Sequence, residues 1–221
     1  MARADGPRCG PEPAGDCGLC PRLASFLADQ RVAQPSWHNA PVPSFGPPAA
    51  RLLVVGLAPG MQGANRTGRP FTGDHAGILL YETLLEYGFA TGTYDARADD
   101  GVSLADCMIT NAVRCLPPLN KPTPAEINTC RPFLTSRIAA LPRLAAIVAL
   151  GRVAHDTTLV ALGHKRSAYT FAHGSRHAVA PHLMLFDSYH CSRYNTNTGV
   201  LTPAMFKAVF ADVRAYLDGV K

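Results

Sequence analysis

The sequence contains no apolar run long enough to cross a membrane. Its most apolar stretches, such as Leu144 to Leu150, are far shorter than the roughly 20 residues that a membrane-spanning helix needs. The first residues, MARADGPRCGPEPAGDC, have no apolar core of the kind found in secretory signals. These two absences predict a chain that works in the cytoplasm without contacting a membrane.

Familiar nucleotide-binding signatures and internal repeats are also missing. The segment from Gly56 to Asp74 reads GLAPGMQGANRTGRPFTGD, which is Gly-rich but is neither a P-loop nor a dinucleotide fingerprint. The 221 residues, 47% hydrophobic and 17% charged, suit one globular domain spanning residues 1–221. Within it, the Gly- and Pro-rich residues 1–16 predict an irregular lead-in. A net charge of +5 suits a polyanionic partner such as nucleic acid, although many other soluble proteins carry as much.

Short apolar runs alternate with helical patterns along most of the chain. The predicted strands are Arg51–Gly56, Asp106–Val113, Leu144–Leu150 and His182–Asp187. The predicted helices cover 19–30, 76–87, 124–140 (with Pro132 a break), 152–162, and a last one capped by Thr202 and Pro203. Strands that are apolar on both faces and alternate with helices predict an α/β fold with a parallel sheet covered on both sides.

The most unusual residues follow these strands, where ligands bind in such sheets. The Gly-rich segment follows the first strand, and SYHCSRYN follows the fourth. Glycines let a backbone approach a ligand closely, although a plain surface loop with solvated arginines is the alternative. His190 could donate a hydrogen bond or transfer a proton, while an amide such as Asn111 or Asn120 could read a pyrimidine edge or hold a water molecule. This placement predicts an enzyme.

The seven cysteines are not expected to form disulfides in a reducing compartment. Cys17 and Cys20 form a CxxC pair, and Cys115 and Cys130 form a wider second pair. Four thiolates can hold a zinc ion or an iron–sulfur cluster, and the spacing leaves both open, along with four unrelated buried cysteines. Of the remaining three, Cys107 is expected in the core.

Taken together, GLAPG, NRTGRPFTGD and HCSRYN resemble the iron–sulfur uracil-DNA glycosylases of the fifth family, the B type, from Cys17 to the last helix. The resemblance implies a three-layer αβα fold around a four-stranded parallel sheet. It also implies a structural [4Fe–4S] cluster, whose ligands are Cys17, Cys20, Cys115 and Cys130.

The resemblance also implies roles for residues of the site. Phe71 would stack on a uracil flipped out of DNA, Asn111 would read its edge, and Ala58 would lie beside it. His190 would stabilise negative charge on uracil O2 as the base departs. Contacts with DNA, or the wedge that fills the vacated stack, would come from Arg66, Ser192, Arg193 and Asn195.

The sequence departs from the wider superfamily at several of these positions. Leu57 and Ala58 replace the polar residue that positions the attacking water, so the resemblance assigns the water to Asn120, with Asp74 as a second polar partner. Asn111 stands where B-type enzymes often carry a small apolar residue, and it should sharpen the preference for uracil. Cys191 replaces the more usual proline.

The predicted reaction is hydrolysis of the N-glycosidic bond of uracil, with other deaminated bases as further candidates, by a monomer that leaves an abasic site in DNA. The alternative is an iron–sulfur or zinc protein that binds DNA or nucleotides and regulates without cutting.

Overall fold

The computed structural model describes residues 10–220. The helices are α1 (Pro21–Ala33), α2 (Ala64–Thr67), α3 (His75–Glu86), α4 (Pro124–Ala139), α5 (Arg152–Ala161), α6 (Arg193–Asn197) and α7 (Pro203–Gly219). The strands are β1 (Leu52–Gly56), β2 (Ala90–Thr91), β3 (Ser103–Leu104), β4 (Cys107–Asn111), β5 (Ala146–Leu150), β6 (Arg176–Ala180) and β7 (Leu183–Ser188).

The central sheet has five strands in the order β4-β1-β5-β7-β6. The first four are parallel and correspond to the four predicted strands, whereas β6 pairs antiparallel with β7 and was not predicted. The sequence prediction missed β6 because this edge strand buries only Val179 and so lacks a continuous apolar run. β2 and β3 form a separate small hairpin.

Helices cover both faces of the sheet. Alternate residues of β1 point to opposite sides: Leu52 and Val54 join a core with α3 and α7, and Leu53 and Val55 join a core with α4 and α5. This confirms the three-layer αβα architecture. Cys107 is fully buried within β4, as predicted.

Two helix predictions can be compared directly with the structure. Thr202 caps α7 by accepting a hydrogen bond from the backbone N–H of Met205, as predicted. Pro132, by contrast, does not break α4, which continues through it. The buried Cys130 and Phe133 on either side hold this helix against the core across the proline, which offsets its missing hydrogen bond.

The N-terminal part of the described chain packs against one corner of the sheet. Residues 10–16 contain no helix or strand, in line with the predicted irregular lead-in, whose residues 1–9 lie outside the described chain together with Cys9. α1 buries Leu23 and Leu27 in a third cluster with residues that follow β4. None of the described helices is long and apolar enough to span a bilayer.

Candidate functional site

The parallel strands β1 and β4 end side by side, and their last residues form the floor of the site. Gly56 of β1 is paired with Asn111 of β4. A Cβ at Gly56 would overlap the Oδ1 atom of Asn111 and the ring of Phe71, so these two side chains converge above this glycine. Only a residue without a side chain fits there.

The amide oxygen of Asn111 has no hydrogen-bond partner among the described residues, although it is fully buried. An unsatisfied acceptor in a protein interior is costly, about 1–3 kcal/mol, and such groups are rare in folded proteins. A ligand that offers an N–H group above Gly56 would satisfy it.

Phe71 and His190 stand over this floor with their rings facing each other. Their centroids lie 5.9 Å apart and their planes differ by 28°. Phe71 has a left-handed backbone conformation, with φ at 54°, which is rare for a bulky residue. The structure thus brings Phe71, Asn111 and His190 to one place, as the shared strand ends predict.

His190 is half-buried, and its imidazole makes no hydrogen bond with residues 10–220. Burial of the imidazole ring, which disfavours its charged form, lowers the pKa of His190 to about 4. The side chain is therefore neutral at pH 7, and its single N–H group is free to donate to a ligand.

An open groove leads from His190 along the strand ends. It is lined on one side by Ala58 and on the other by Asn120, whose backbone also has a positive φ of 56°. Leu119 and Tyr194, two of the most exposed large apolar side chains described, stand at its edges. The sequence prediction named neither, because exposure of a lone apolar residue cannot be read from the sequence.

Asp74 lies beside this groove rather than in it. Its carboxylate caps α3 by accepting a hydrogen bond from the N–H of Gly77, and its other oxygen packs against Gly60 and Gly63. Burial raises the pKa of Asp74. Gly60 lines the groove, and Asp74 lines a neighbouring depression that shares Ser192 with it.

The four residues predicted to contact DNA occupy different environments. Arg66 and Arg193 are exposed, and Ser192 lines both the groove and a neighbouring depression that also contains Arg193. Ser192 caps α6 by accepting from the N–H of Asn195. The amide of Asn195 donates to the carbonyl of His190 at 2.8 Å, so it fixes the segment that carries this histidine.

The four predicted ligand cysteines lie together around one small, nearly enclosed cavity between α1, α4 and the chain that follows β4. Its lining includes Cys17, Cys20, Cys115 and Cys130. The backbone N–H of Arg114 points at the sulfur of Cys130 at 3.4 Å. Burial raises the pKa of Cys115 to about 12 and that of Cys130 to about 11. The thiols of Cys115 and Cys130 are thus protonated unless a cation lies beside them.

The cysteine spacing bears on which cation would fit. Among residues 10–220, none of these cysteines belongs to a group of three or more potential metal-ligand atoms that all lie within 4.8 Å of one another. A tetrahedral zinc ion, with Zn–S bonds of about 2.3 Å, would bring its sulfurs to about 3.8 Å. The arrangement suits a larger group better than a single ion.

One buried cluster was missed by the sequence analysis, which assigned no role to His155 or His177. Both contact the carboxylate of Asp187: Nδ1 of His155 at 2.8 Å and Nε2 of His177 at 3.0 Å. Nε2 of His155 also faces the carbonyl of Tyr169. Because a carboxylate and a carbonyl only accept, both nitrogens of His155 donate and the ring is cationic. No sequence pattern predicts this cluster, because its members come from α5, β6 and β7.

Comparison with known proteins places this site in a family. The uracil DNA glycosylase superfamily matches residues 43–214. The chain belongs to this superfamily. A type-5 uracil-DNA glycosylase of Thermus thermophilus is 43% identical over 204 residues, covering 90% of this chain and 92% of that protein.

Other relatives carry the same or a neighbouring description. A type-5 uracil-DNA glycosylase of Mycobacterium leprae is 40% identical, with 90% of each chain covered. A type-4 uracil-DNA glycosylase of Sulfurisphaera tokodaii is 31% identical, covering 76% of this chain and 72% of that protein. The fifth family named from the sequence motifs is therefore confirmed, with the fourth a more distant relation.

Proposed function

We propose that this protein removes uracil from DNA by hydrolysing the N-glycosidic bond, leaving an abasic site. The observation that supports this best is the convergence of Phe71, Asn111 and His190 above Gly56. An aromatic plate, an unsatisfied amide and a neutral imidazole are the groups needed to hold and release a flipped pyrimidine. Other deaminated bases are further candidate substrates.

Binding of the base is assigned to Phe71 and Asn111, with Ala58 at the pocket's edge. Stacking on Phe71 supplies affinity of about 1–3 kcal/mol but little selectivity, since every base has a π face. The unpartnered Oδ1 of Asn111 would accept from the N3–H of uracil. Cytosine has no hydrogen at N3, so it would leave this acceptor unsatisfied.

Bond cleavage is assigned to His190. As the glycosidic bond breaks, its electron pair goes to the uracil, which leaves as an anion with charge on O2. The neutral imidazole would donate its N–H to that oxygen, stabilising the transition state more than the ground state. No covalent lysine intermediate is involved.

Water capture of the sugar cation is assigned to Asn120. Its exposed amide, held in the groove at positive φ, would hold the attacking water. Asp74 would support it as a second polar partner. Its engagement in the cap of α3 makes this an indirect role, exerted across the Gly60 backbone.

Contacts with the DNA backbone are assigned to the exposed Arg66 and Arg193 and to Ser192, which lines the groove and shares the neighbouring depression with Arg193. Asn195 would contribute through the segment that it braces. Arginine side chains neutralise phosphates and so make binding dependent on salt.

The cysteine cavity is proposed to hold a structural [4Fe–4S] cluster on Cys17, Cys20, Cys115 and Cys130. The fit is supported by the shared enclosed cavity, by spacing too wide for one zinc ion and by the N–H directed at Cys130. The cluster's irons would replace the thiol protons. Because Asn120 lies in the loop between Cys115 and Cys130, the cluster would anchor both ends of that loop.

The cluster is tested by measuring iron and acid-labile sulfide per chain. Wild type should be brown and contain four of each, and Cys130→Ala should lose most of both. Cys107→Ala, which changes a buried cysteine of β4 outside the cavity, should keep them. One zinc per chain and no iron would overturn the assignment.

We further propose that the protein acts as a monomer in the cytoplasm, where thiols stay reduced and free to hold such a cluster. A purified protein that elutes as a dimer would contradict the first part.

The activity is tested on a labelled oligonucleotide that contains one uracil. Wild type should produce sites that break under alkali, and His190→Ala should slow this about 100-fold or more, as for loss of one charge-stabilising donor. His182→Ala, an exposed histidine at the other end of the sheet, is the matched control. Intact DNA with wild type would favour the non-cutting regulator instead, and equal rates for His190→Ala would remove His190 from the mechanism.

A further inference from the structure

Arg69, within the Gly-rich segment, has a buried side chain that is paired with Asp100. Its two terminal nitrogens donate to the two carboxylate oxygens of Asp100 at 2.8 and 2.7 Å. The side chains are only 5% and 1% exposed. The hydrogen bonds from Arg69 hold the pKa of Asp100 well below its usual range. This planar two-point pairing is the most specific that a carboxylate can make.

Aromatic rings enclose the guanidinium of Arg69. It lies 5.3 Å from the ring centre of Phe45, 5.2 Å from that of Tyr81 and 5.9 Å from that of Tyr94. The two tyrosines also stack on each other, with centres 4.5 Å apart. The cation therefore holds both tyrosine rings in place.

The hydroxyls of these tyrosines bind two consecutive carbonyls next to the site. Tyr81 donates to the carbonyl of Pro70 at 2.9 Å, and Tyr94 donates to that of Phe71 at 3.1 Å. Nε of Arg69 donates to the hydroxyl of Thr72 at 2.7 Å, on the other side of Phe71. Phe71 is thus fixed from both sides by groups that Arg69 organises.

The backbone of Phe71 needs such support. Its positive φ is unfavourable for an L-residue with a large side chain, and such conformations persist only where the surroundings over-determine them. The Arg69 and Asp100 pair supplies the rigid frame, and the side-chain hydrogen bonds of Arg69 go to Thr72, Ala98 and Asp100.

We propose that Asp100 is a positioning residue for uracil binding, acting through Arg69 and the two tyrosines to hold the ring of Phe71 at its stacking distance. This rests on the assignment of Phe71 as the stacking residue. Loss of Asp100 leaves Arg69 buried without its partner, lets the tyrosines shift, and frees Phe71 to leave its strained conformation.

The same loop provides a matched control. Asp99, next to Asp100, also pairs with an arginine, Arg97, but both of these side chains are mostly exposed, at 75% and 64%. Asp99→Asn and Asp100→Asn therefore remove the same charge from neighbouring positions, and only the second touches the frame that holds Phe71.

The test is inhibition of the enzyme by free uracil, which probes the base pocket apart from DNA binding. Asp100→Asn should raise the inhibition constant about tenfold, a partial loss of stacking. Tyr94→Phe, which removes the single hydroxyl bonded to Phe71, should raise it in the same direction with the fold intact by circular dichroism. Asp99→Asn should leave it within about twofold of wild type.

A merely structural role would lower the active fraction, and hence kcat, while leaving the inhibition constant unchanged. That result for Asp100→Asn would overturn the proposal, and if Asp100→Asn does not fold, the same result for Tyr94→Phe would. Phe71→Ala distinguishes failure of the stacking assignment for Phe71 from failure of the positioning role of Asp100. If it leaves the inhibition constant unaltered, the stacking assignment fails; if it raises the constant and the frame variants do not, positioning alone fails.

Discussion

The amide oxygen of Asn111 occupies the space where a side chain at Gly56 would lie, on the neighbouring strand of the same sheet. The ring of Phe71 borders that space from the other side. On the proposed assignment, the base is therefore read at a position set by two buried, paired strands. The close approach of Asn111 and Phe71 depends on the absence of a side chain at Gly56.

Gly56→Ala should consequently remove activity more than it removes stability. The added methyl must displace Asn111 or Phe71, and loss of one well-placed contact corresponds to about 1–3 kcal/mol, or roughly tenfold to 100-fold in kcat/KM. Uracil release from an oligonucleotide measures this. Gly219→Ala adds the same methyl where no atom lies within 4 Å, and it should leave kcat/KM unchanged. Full activity of Gly56→Ala would show that the two side chains do not act as assigned.

His190 should give the reaction an unusual pH dependence. Because burial lowers its pKa to about 4, the ring stays neutral from pH 8 to about 5, and kcat should not inflect near 6.5, where an ordinary histidine titrates. The profile should fall only on approach to pH 4. An inflection near 6.5 that disappears in His190→Asn would show that the ring titrates normally.

His155 should make stability fall as pH rises. Burial lowers the pKa of His155, but its hydrogen bond to Asp187 and the charge of that carboxylate more than offset this and raise it above 6.5. The folded state thus holds a proton that the unfolded state releases. The contribution is complete below pH 6.5 and disappears as pH passes through the raised pKa, at no more than about 1.4 kcal/mol per pH unit.

Urea unfolding between pH 6 and 9 measures this effect. His155→Asn should be less stable at pH 6 by about 3–5 kcal/mol, because Asp187 keeps a buried charge without its main partner, and its stability should vary less with pH. His182→Ala, exposed at the surface, should follow the wild-type curve. A wild-type stability that increases above pH 7 would contradict the assignment of a cationic His155.

Leu119→Gly should stabilise the protein. Leu119 has a φ of 56° and is 87% exposed, so glycine relieves backbone strain and loses little packing. The net gain should be about 0.5–1 kcal/mol in urea unfolding, after the larger entropy of the unfolded glycine. Val32→Gly is the contrasting variant: Val32 is 86% exposed but helical, so glycine there should cost about 0.3–0.5 kcal/mol, the difference between the helix propensities of the two residues. A loss of stability in both would argue that Leu119 is unstrained.

Much of the site could be predicted because it depends on strand topology. β1, β4, β5 and β7 are buried on both faces, so they read as continuous apolar runs, and the residues that follow them must share one edge of the sheet. This is why Asn111 and His190 could be placed together. β6 was not predicted because an exposed edge strand has no such apolar run.

The supporting interactions could not be predicted. The sequence analysis assigned no role to Arg69, and only the folded chain shows that Asp100 and three aromatic rings surround it. The pairing of His155 with Asp187 likewise joins a helix and a strand that are distant in sequence. Side-chain pairs of this kind leave no periodic pattern in the sequence, because the residues next to one partner do not indicate which distant residue is the other.

The packing of α1 has a consequence for the order of folding during synthesis. Leu23, Leu27, Cys17 and Cys20 contact the segment from Val113 to Phe133, which leaves the ribosome much later than they do. A nascent α1 thus has nothing to dock against, and an isolated helix of this length is marginal in water. The most N-terminal of the described helices is therefore among the last to settle, and the thiols of Cys17 and Cys20, which lie just before it, remain exposed to oxidants and stray metal ions until their distant partners arrive.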